Sequence, residues 1–214
     1  MVVTPAELRE RTLAHYRDSF ATHGASPRGV DWNGPESQRL QFEQLLKLLP
    51  THGNTFSLND FGCGYGALVD MLNGPWHDVE YRGYDINADM IARARLRYAD
   101  RPGVHFEVAD QPAEAADYSV ASGVFTLRLG RSDDQCLHDM GQTLDMLSAT
   151  SREGFAFNCL TSYSDADKMK DYLYYPDPCT IFDICKRRYA RNVALLHDYG
   201  LFAFTILVRK DASS

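Results

Sequence analysis

Two hydrophobic rhythms divide the chain near residue 50. Before it, apolar positions follow helical spacing. Thr4, Pro5 and Glu7 form a capping box with proline at the first helical position, which predicts a helix to about Phe20. His23-Gly24-Ala25-Ser26-Pro27 ends it. Pro35 opens a second helix over 35–49, with Leu40, Leu45, Leu46 and Leu49 on its apolar side and Pro50 as its stop. From residue 56 short apolar runs alternate with amphipathic stretches. Strands are predicted at 56–61, 80–85, 104–109, 118–125 and 154–159, with helices at 67–72, 88–98 and from the Ser132 capping box to about Ser148. The 118–125 run is apolar on both sides, as a central strand is. A tyrosine-rich loop follows residue 159, then a helix over 180–191. Strands at 193–198 and 202–209 are joined through Tyr199-Gly200, a link short enough to require an antiparallel pair.

Strand-helix alternation closed by a hairpin predicts an α/β fold: a seven-stranded, mostly parallel sheet with one antiparallel strand and helices on both faces. Residues 1–50 are read as an N-terminal helical extension and 51–214 as the main domain. In such sheets ligands bind beyond the C-terminal ends of the strands, where strand order reverses. Function is therefore sought just after each strand.

The turn after the first strand carries the strongest signal. In Asp60-Phe61-Gly62-Cys63-Gly64-Tyr65-Gly66, three glycines within five residues let the backbone turn sharply and approach a ligand. The following helix is expected to present free N–H groups and a partial positive charge. Asp85, at the end of the second strand, suits the hydroxyls of a ribose. Gly62-x-Gly64-x-x-Ala67 also satisfies the relaxed dinucleotide fingerprint, so a nicotinamide-dependent oxidoreductase is an alternative. The G-x-G-x-G spacing, the acid Asp60 before it and the single domain's length weigh against that reading.

Composition narrows the field. The chain has 214 residues, 44% hydrophobic and 24% charged, and these values fit one globular domain rather than a disordered or fibrous chain. A net charge of -7 repels phosphate backbones, which sets nucleic acid aside as a partner. No apolar run nears the ~20 residues of a membrane helix, and the first ten residues lack a signal-peptide layout. Five irregularly spaced cysteines read as free thiols in a reducing cytoplasm. Scattered histidines, no Cys-x-x-Cys and no carboxylate closing the fifth strand argue against a metal.

Asn59-Asp60-Phe61-Gly62-Cys63-Gly64-Tyr65-Gly66, with Tyr84-Asp85-Ile86 and Val108-Ala109-Asp110, resembles the class I S-adenosylmethionine (SAM) dependent methyltransferases over roughly residues 55–210. The resemblance implies a Rossmann-like fold, SAM as cofactor and S-adenosylhomocysteine (SAH) as product. It implies that Gly62, Cys63 and Gly64 pack on the methionine part, with Phe61 and Gly66 as further cofactor-binding candidates. Asp60 would then face the amino group and Asp85 hold the ribose. Ile86 and Met90 would lie against adenine, and Asp110, with Gln111 beside it, would accept from the adenine amino group. Ala121, Ser122 and Gly123 would line the methyl-donor end. It further implies an N-terminal helical lid, for which Tyr16, Trp32 and Gln38 are the candidates, with plain packing as the alternative.

Methyl transfer from a sulfonium needs alignment first and a base only for some acceptors. Arg128 is a candidate for pairing with an anionic group, or else a surface arginine. Tyr163, Tyr174 and Tyr175, in the loop over the expected pocket mouth, and Phe125 are candidates for substrate contact. His197 is the candidate general base, because imidazole titrates near neutrality; packing on an edge strand is its alternative. Arg128, Tyr163 and His197 are thus the catalytic candidates. The reading is transfer of a methyl group to a polar small molecule, oxygen slightly preferred over nitrogen. A non-catalytic SAM-binding sensor or adaptor is the other alternative.

Overall fold

A computed structural model describes residues 3–30, 32, 34–51, 55–72, 74–76 and 78–211. The chain forms α1 (Pro5–His23), α2 (Pro35–Leu46), β1 (Ser57–Phe61), β2 (Glu80–Asp85), α3 (Ala88–Arg97), β3 (Val104–Val108), β4 (Ala116–Ala121), α4 (Asp133–Ala149), β5 (Ser151–Leu160), α5 (Pro178–Arg188), β6 (Asn192–Leu196) and β7 (Ala203–Arg209). The strands make one sheet in the order β3-β2-β1-β4-β5-β7-β6. Only β7 runs against its neighbours. The order reverses between β1 and β4, so the switch-point crevice opens beyond Phe61 and Ala121, which pair in register.

Alternating side chains serve two cores. In β7, Leu207 joins Leu58, Val120 and Ala156 on the face covered by α2 and α3, with Leu45 and Ile91 packed over them. Phe204, Ile206 and Val208 point the other way, toward Leu144, Leu147 and Ile181 of α4 and α5. The period of two along the strand decides the face. α2 is thus a layer on the sheet, touching β5 and β7, while α1 stands over the strand ends.

Helix boundaries follow local chemistry. The Thr4 and Ser132 capping boxes are both formed, and Asn87 and Asp177 accept from the first-turn amides of α3 and α5. Each such cap contributes about 1 kcal/mol. Several predicted boundaries move. α1 runs on to His23, and α2 stops at Leu46. β4 ends at Ala121 rather than residue 125, because Gly123 takes a positive φ of 74° and gives its N–H to the Asn158 side chain. The segment after Gly66 is a 3-10 helix of five residues, Ala67–Met71. So short a piece has little dipole, and the expected helical N-terminus behind the glycine turn is not formed. Gly66 itself has φ 79°, and a Cβ there would meet the Phe106 ring at 2.7 Å; packing, not ligand contact, requires glycine at that position.

Candidate active site

A cavity of about 270 Å³ occupies the crevice. Its first half is built from the β1 and β2 ends. Gly62 and Cys63 both donate their N–H to the Tyr84 carbonyl, which ties the glycine turn to β2. The Asp85 carboxylate accepts from the N–H of Gly64 at 2.9 Å and of Asn87 at 2.8 Å. Asp60 is buried and accepts from the Tyr81 hydroxyl at 2.6 Å. Burial pushes the Asp60 carboxyl up to about 7, the Tyr81 hydrogen bond opposing and the Asp85 charge adding. Burial also raises Asp85, against the pull of the Asn87, Gly64 and Ile86 amides. The same burial, with both carboxylates nearby, raises the Cys63 thiol well above its ordinary range, which denies it a nucleophile's thiolate. Neither carboxylate has a cationic side chain as partner among the described residues.

Ile86 and Met90 continue this wall, and Ser122 and Gly123 form the far side of the crevice. Buried Asn158 holds both: its Oδ1 accepts from the Gly123 N–H and its amide donates to the Ser122 hydroxyl, each at 2.9 Å. Overhead, the Tyr16 hydroxyl donates to the Gly123 carbonyl at 3.4 Å, Trp32 packs edge-on against Phe42, and Gln38 accepts from the Tyr65 hydroxyl. Asp31 and Asn33, the polar neighbours of Trp32, lie outside the described residues.

The second half of the cavity lies between α1, α4 and the β4–α4 loop. α4 presents Cys136, Asp139, Met140 and Thr143, one face by spacing, and α1 presents Leu8, Thr12 and Tyr16. Phe125, Leu127 and buried Tyr174 complete the wall. Arg131 reaches it too, paired with Asp139 at 2.7 Å.

Most candidates from the sequence therefore meet in one cavity: Asp60 through Gly64, Asp85, Ile86, Met90, Ser122, Gly123, Phe125, Tyr174 and the overhead Tyr16, Trp32 and Gln38. Others do not. Asp110 is exposed and forms an ion pair with Arg9 of α1 at 3.2 Å; Gln111 is exposed beside it, and Ala109 lines the cavity instead. Ala121 is buried under the crevice. Arg128 turns away to Asp133 at 2.5 Å and to the Leu173 carbonyl. Tyr175 uses its hydroxyl to accept from the Lys170 amide. Tyr163, 64% exposed, sits on the surface against His197. His197 is exposed past the end of β6, the edge strand farthest along the sheet from the crevice, and contacts the Tyr163 and Phe204 rings. The structure thus removes Arg128, Tyr163 and His197 from the cavity wall. The sequence reading missed Asn158, Arg131 and Asp139; of these only Asn158, closing a strand, carried a positional signal. Among the described residues, no three His, Cys, Asp or Glu side chains are grouped to hold a metal ion, and no helix is long and apolar enough to cross a membrane.

A family described as "Methyltransferase domain" matches residues 59–148. The Mycobacterium tuberculosis protein Rv1506c, described as a methyltransferase, is 56% identical over 155 residues, 72% of this chain and 93% of that protein. Magnesium protoporphyrin IX methyltransferase from Synechocystis PCC 6803, solved with SAH, superposes with a TM-score of 0.64 at 12% identity, over 96% of this chain and 99% of that one. The N-methyltransferase NodS from Bradyrhizobium japonicum WM9, solved with SAH, gives 0.64 at 16% identity, over 94% and 98%.

Proposed function

The chain belongs to the class I SAM-dependent methyltransferases, and we propose that it methylates a small-molecule acceptor held in the α1–α4 half of the cavity, oxygen being the preferred acceptor atom. The family membership displaces the nicotinamide alternative. The observation that carries the proposal is the continuity of the cavity: one space joins the glycine turn and Asp85 to a second chamber between α1 and α4.

The residues of the first half fit SAM. Two carboxylates, buried Asp60 and half-buried Asp85, lie without a cationic side chain as partner among the described residues, which suits a ligand bearing an ammonium and a sulfonium. When bound, SAM supplies an activated methyl group on a sulfur that departs as a neutral thioether. Asp85, held by the Gly64 and Asn87 amides, is placed to accept from ribose hydroxyls. Asp60 serves the amino end, and Ile86 and Met90 give adenine an apolar bed. Ser122 and Gly123, fixed by Asn158, border the passage to the acceptor chamber. Residues 1–50 split in role: α1 and Trp32 form a lid, while α2 supports the sheet and contributes Gln38. The chain's task is alignment of nucleophile, methyl and sulfur, together with exclusion of water by the lid.

Thermal unfolding with SAM, SAH and NADH separates this proposal from its rival. Ligand at about 100 times its dissociation constant adds roughly 2.7 kcal/mol. SAM and SAH are expected to raise the melting temperature and NADH to leave it unchanged. Methyl transfer from isotopically labelled SAM to an acceptor panel, read by mass spectrometry, then tests turnover; a response to NADH alone would overturn the proposal.

A further inference from the structure

The charged groups of the acceptor chamber define what it can receive. Among the described residues, the charged side chains lining the whole cavity are Asp60, Asp85, Asp139 and Arg131. The first two belong to the cofactor half, so this inference rests on the reading of that half as the SAM site. Arg131 is the only cation, and it is committed. Its Nε donates to the Arg128 carbonyl at 2.9 Å, one terminal nitrogen to Asp139 at 2.7 Å and the other to the Leu127 carbonyl at 2.5 Å. Its side chain is 12% exposed, against 33% for Asp139. Three of the five N–H groups of Arg131 are thus taken, one on each nitrogen, and the largely buried side chain props Asp139.

Asp139 is in a different position. One carboxylate oxygen takes Arg131; the other has no protein donor among the described residues. The neighbouring hydroxyls do not compete for it, since Thr12 and Thr143 donate to the Leu8 and Asp139 backbone carbonyls one turn back. Phe125 and buried Tyr174 add aromatic surface to the wall. The chamber therefore offers an apolar slot with one vacant hydrogen-bond acceptor that carries negative charge.

We propose that the methyl acceptor is an uncharged or cationic compound with an apolar ring, and that Asp139 binds it by accepting from a hydroxyl or amine hydrogen. An anionic acceptor would bring a second negative charge beside Asp139 in a chamber whose one lining cation is already paired with that carboxylate, and would be disfavoured. The reading reverses the expectation, drawn from Arg128, of an anionic group on the acceptor.

Three probes with one ring and different charge test it: tyramine, 4-hydroxybenzyl alcohol and 4-hydroxybenzoate, titrated by ligand-observed NMR into SAH-saturated protein. Tyramine and the alcohol are expected to bind at least about tenfold more tightly than the carboxylate, the scale of one hydrogen bond to a charged group. Asp139→Asn should erase the gap between tyramine and the carboxylate while SAH affinity stays within about twofold, since Asp139 lies outside the SAM half. Asp139→Glu should retain the preference, and should Asp139→Asn not fold, the ranking on wild type decides. Tightest binding by the carboxylate, a gap that survives Asp139→Asn, or failure of all three probes to bind SAH-saturated protein would each overturn the proposal. A protein that binds no SAH would instead sink the cofactor reading, in a separate titration.

Discussion

At the proposed cofactor end of the cavity the wall is shaped and held largely by main-chain amides. The Gly62 and Cys63 amides bind Tyr84, the Gly64 and Asn87 amides bind Asp85, and the Gly123 amide binds Asn158. At the acceptor end the wall is side chain: the Arg131–Asp139 pair, Thr143 and Met140 from α4, Leu8 and Thr12 from α1, and Tyr174 from the loop after β5. A wall of main chain is specified by a few adjacent residues and tolerates little change. A wall of side chains drawn from distant segments can be re-cut one residue at a time without disturbing the fold. The contrast explains how one sheet can keep its cofactor and change its acceptor.

The strongest way to break the contrast is to add one carbon at the cofactor end. Gly62 has φ 72°, and a Cβ there would stand 2.6 Å from Val124 Cγ2. Gly62→Ala should cost roughly 2–4 kcal/mol, from left-handed backbone strain plus overpacking, measured as a shift of the urea midpoint. A loss below about 0.5 kcal/mol would show that the turn is not held as described. Next, Asp85→Ala removes the acceptor of two amides and the proposed ribose ligand. SAH affinity should fall by about 10- to 100-fold in calorimetry; unchanged affinity would move the ribose elsewhere.

Asp60 provides the pH test. Its carboxyl is raised in the folded protein from an ordinary 3.8 to about 7, so between these values the native state holds a proton that the unfolded chain has lost. The unfolded state binds fewer protons there, and stability falls as pH rises from about 4 to 7, by at most ~1.4 kcal/mol per pH unit for one group. Asp60→Asn should flatten that slope. SAH should flatten it as well, because its ammonium favours the ionised carboxylate. The smallest effect is expected from His197→Ala: exposed beyond β6 and packed against the Tyr163 and Phe204 rings, it should change methyl transfer by less than about twofold. A loss of about 100-fold, the scale of a general base, would return it to the chemistry.

The same contrast governs how far the site could be read from the chain alone. Asp60 to Gly64, Asp85 and Gly123 lie at or just beyond strand ends, and their placement rests on backbone shape, which glycine spacing announces. The fold class, the alternation and the closing antiparallel strand were equally legible, because burial on two faces imposes period two on the strands and capping chemistry marks the helices. His197 lies away from the cavity because of strand order, and local patterns do not say that β6 lies at the far edge. The two arginines show the limit at its finest. Arg128 and Arg131 are three residues apart, and the one that enters the cavity is decided by Leu129 and Gly130, both at positive φ, 52° and 81°. A leucine in that region is not foreseeable from propensity, and Arg11 of α1 donates to the Leu129 carbonyl there, a contact 118 residues away in sequence. Asp110 stands outside the cavity wall for a related reason: Arg9, also on α1, pairs with its carboxylate.

A crystal structure of the protein with SAH is the decisive measurement for the crevice as a SAM site. The nucleoside is expected between Asp85 and Met90, with the ribose hydroxyls on the Asp85 carboxylate, the amino end toward Asp60 and the sulfur facing the Asp139 chamber. SAH bound elsewhere, or this crevice filled only by a dinucleotide, would contradict that placement.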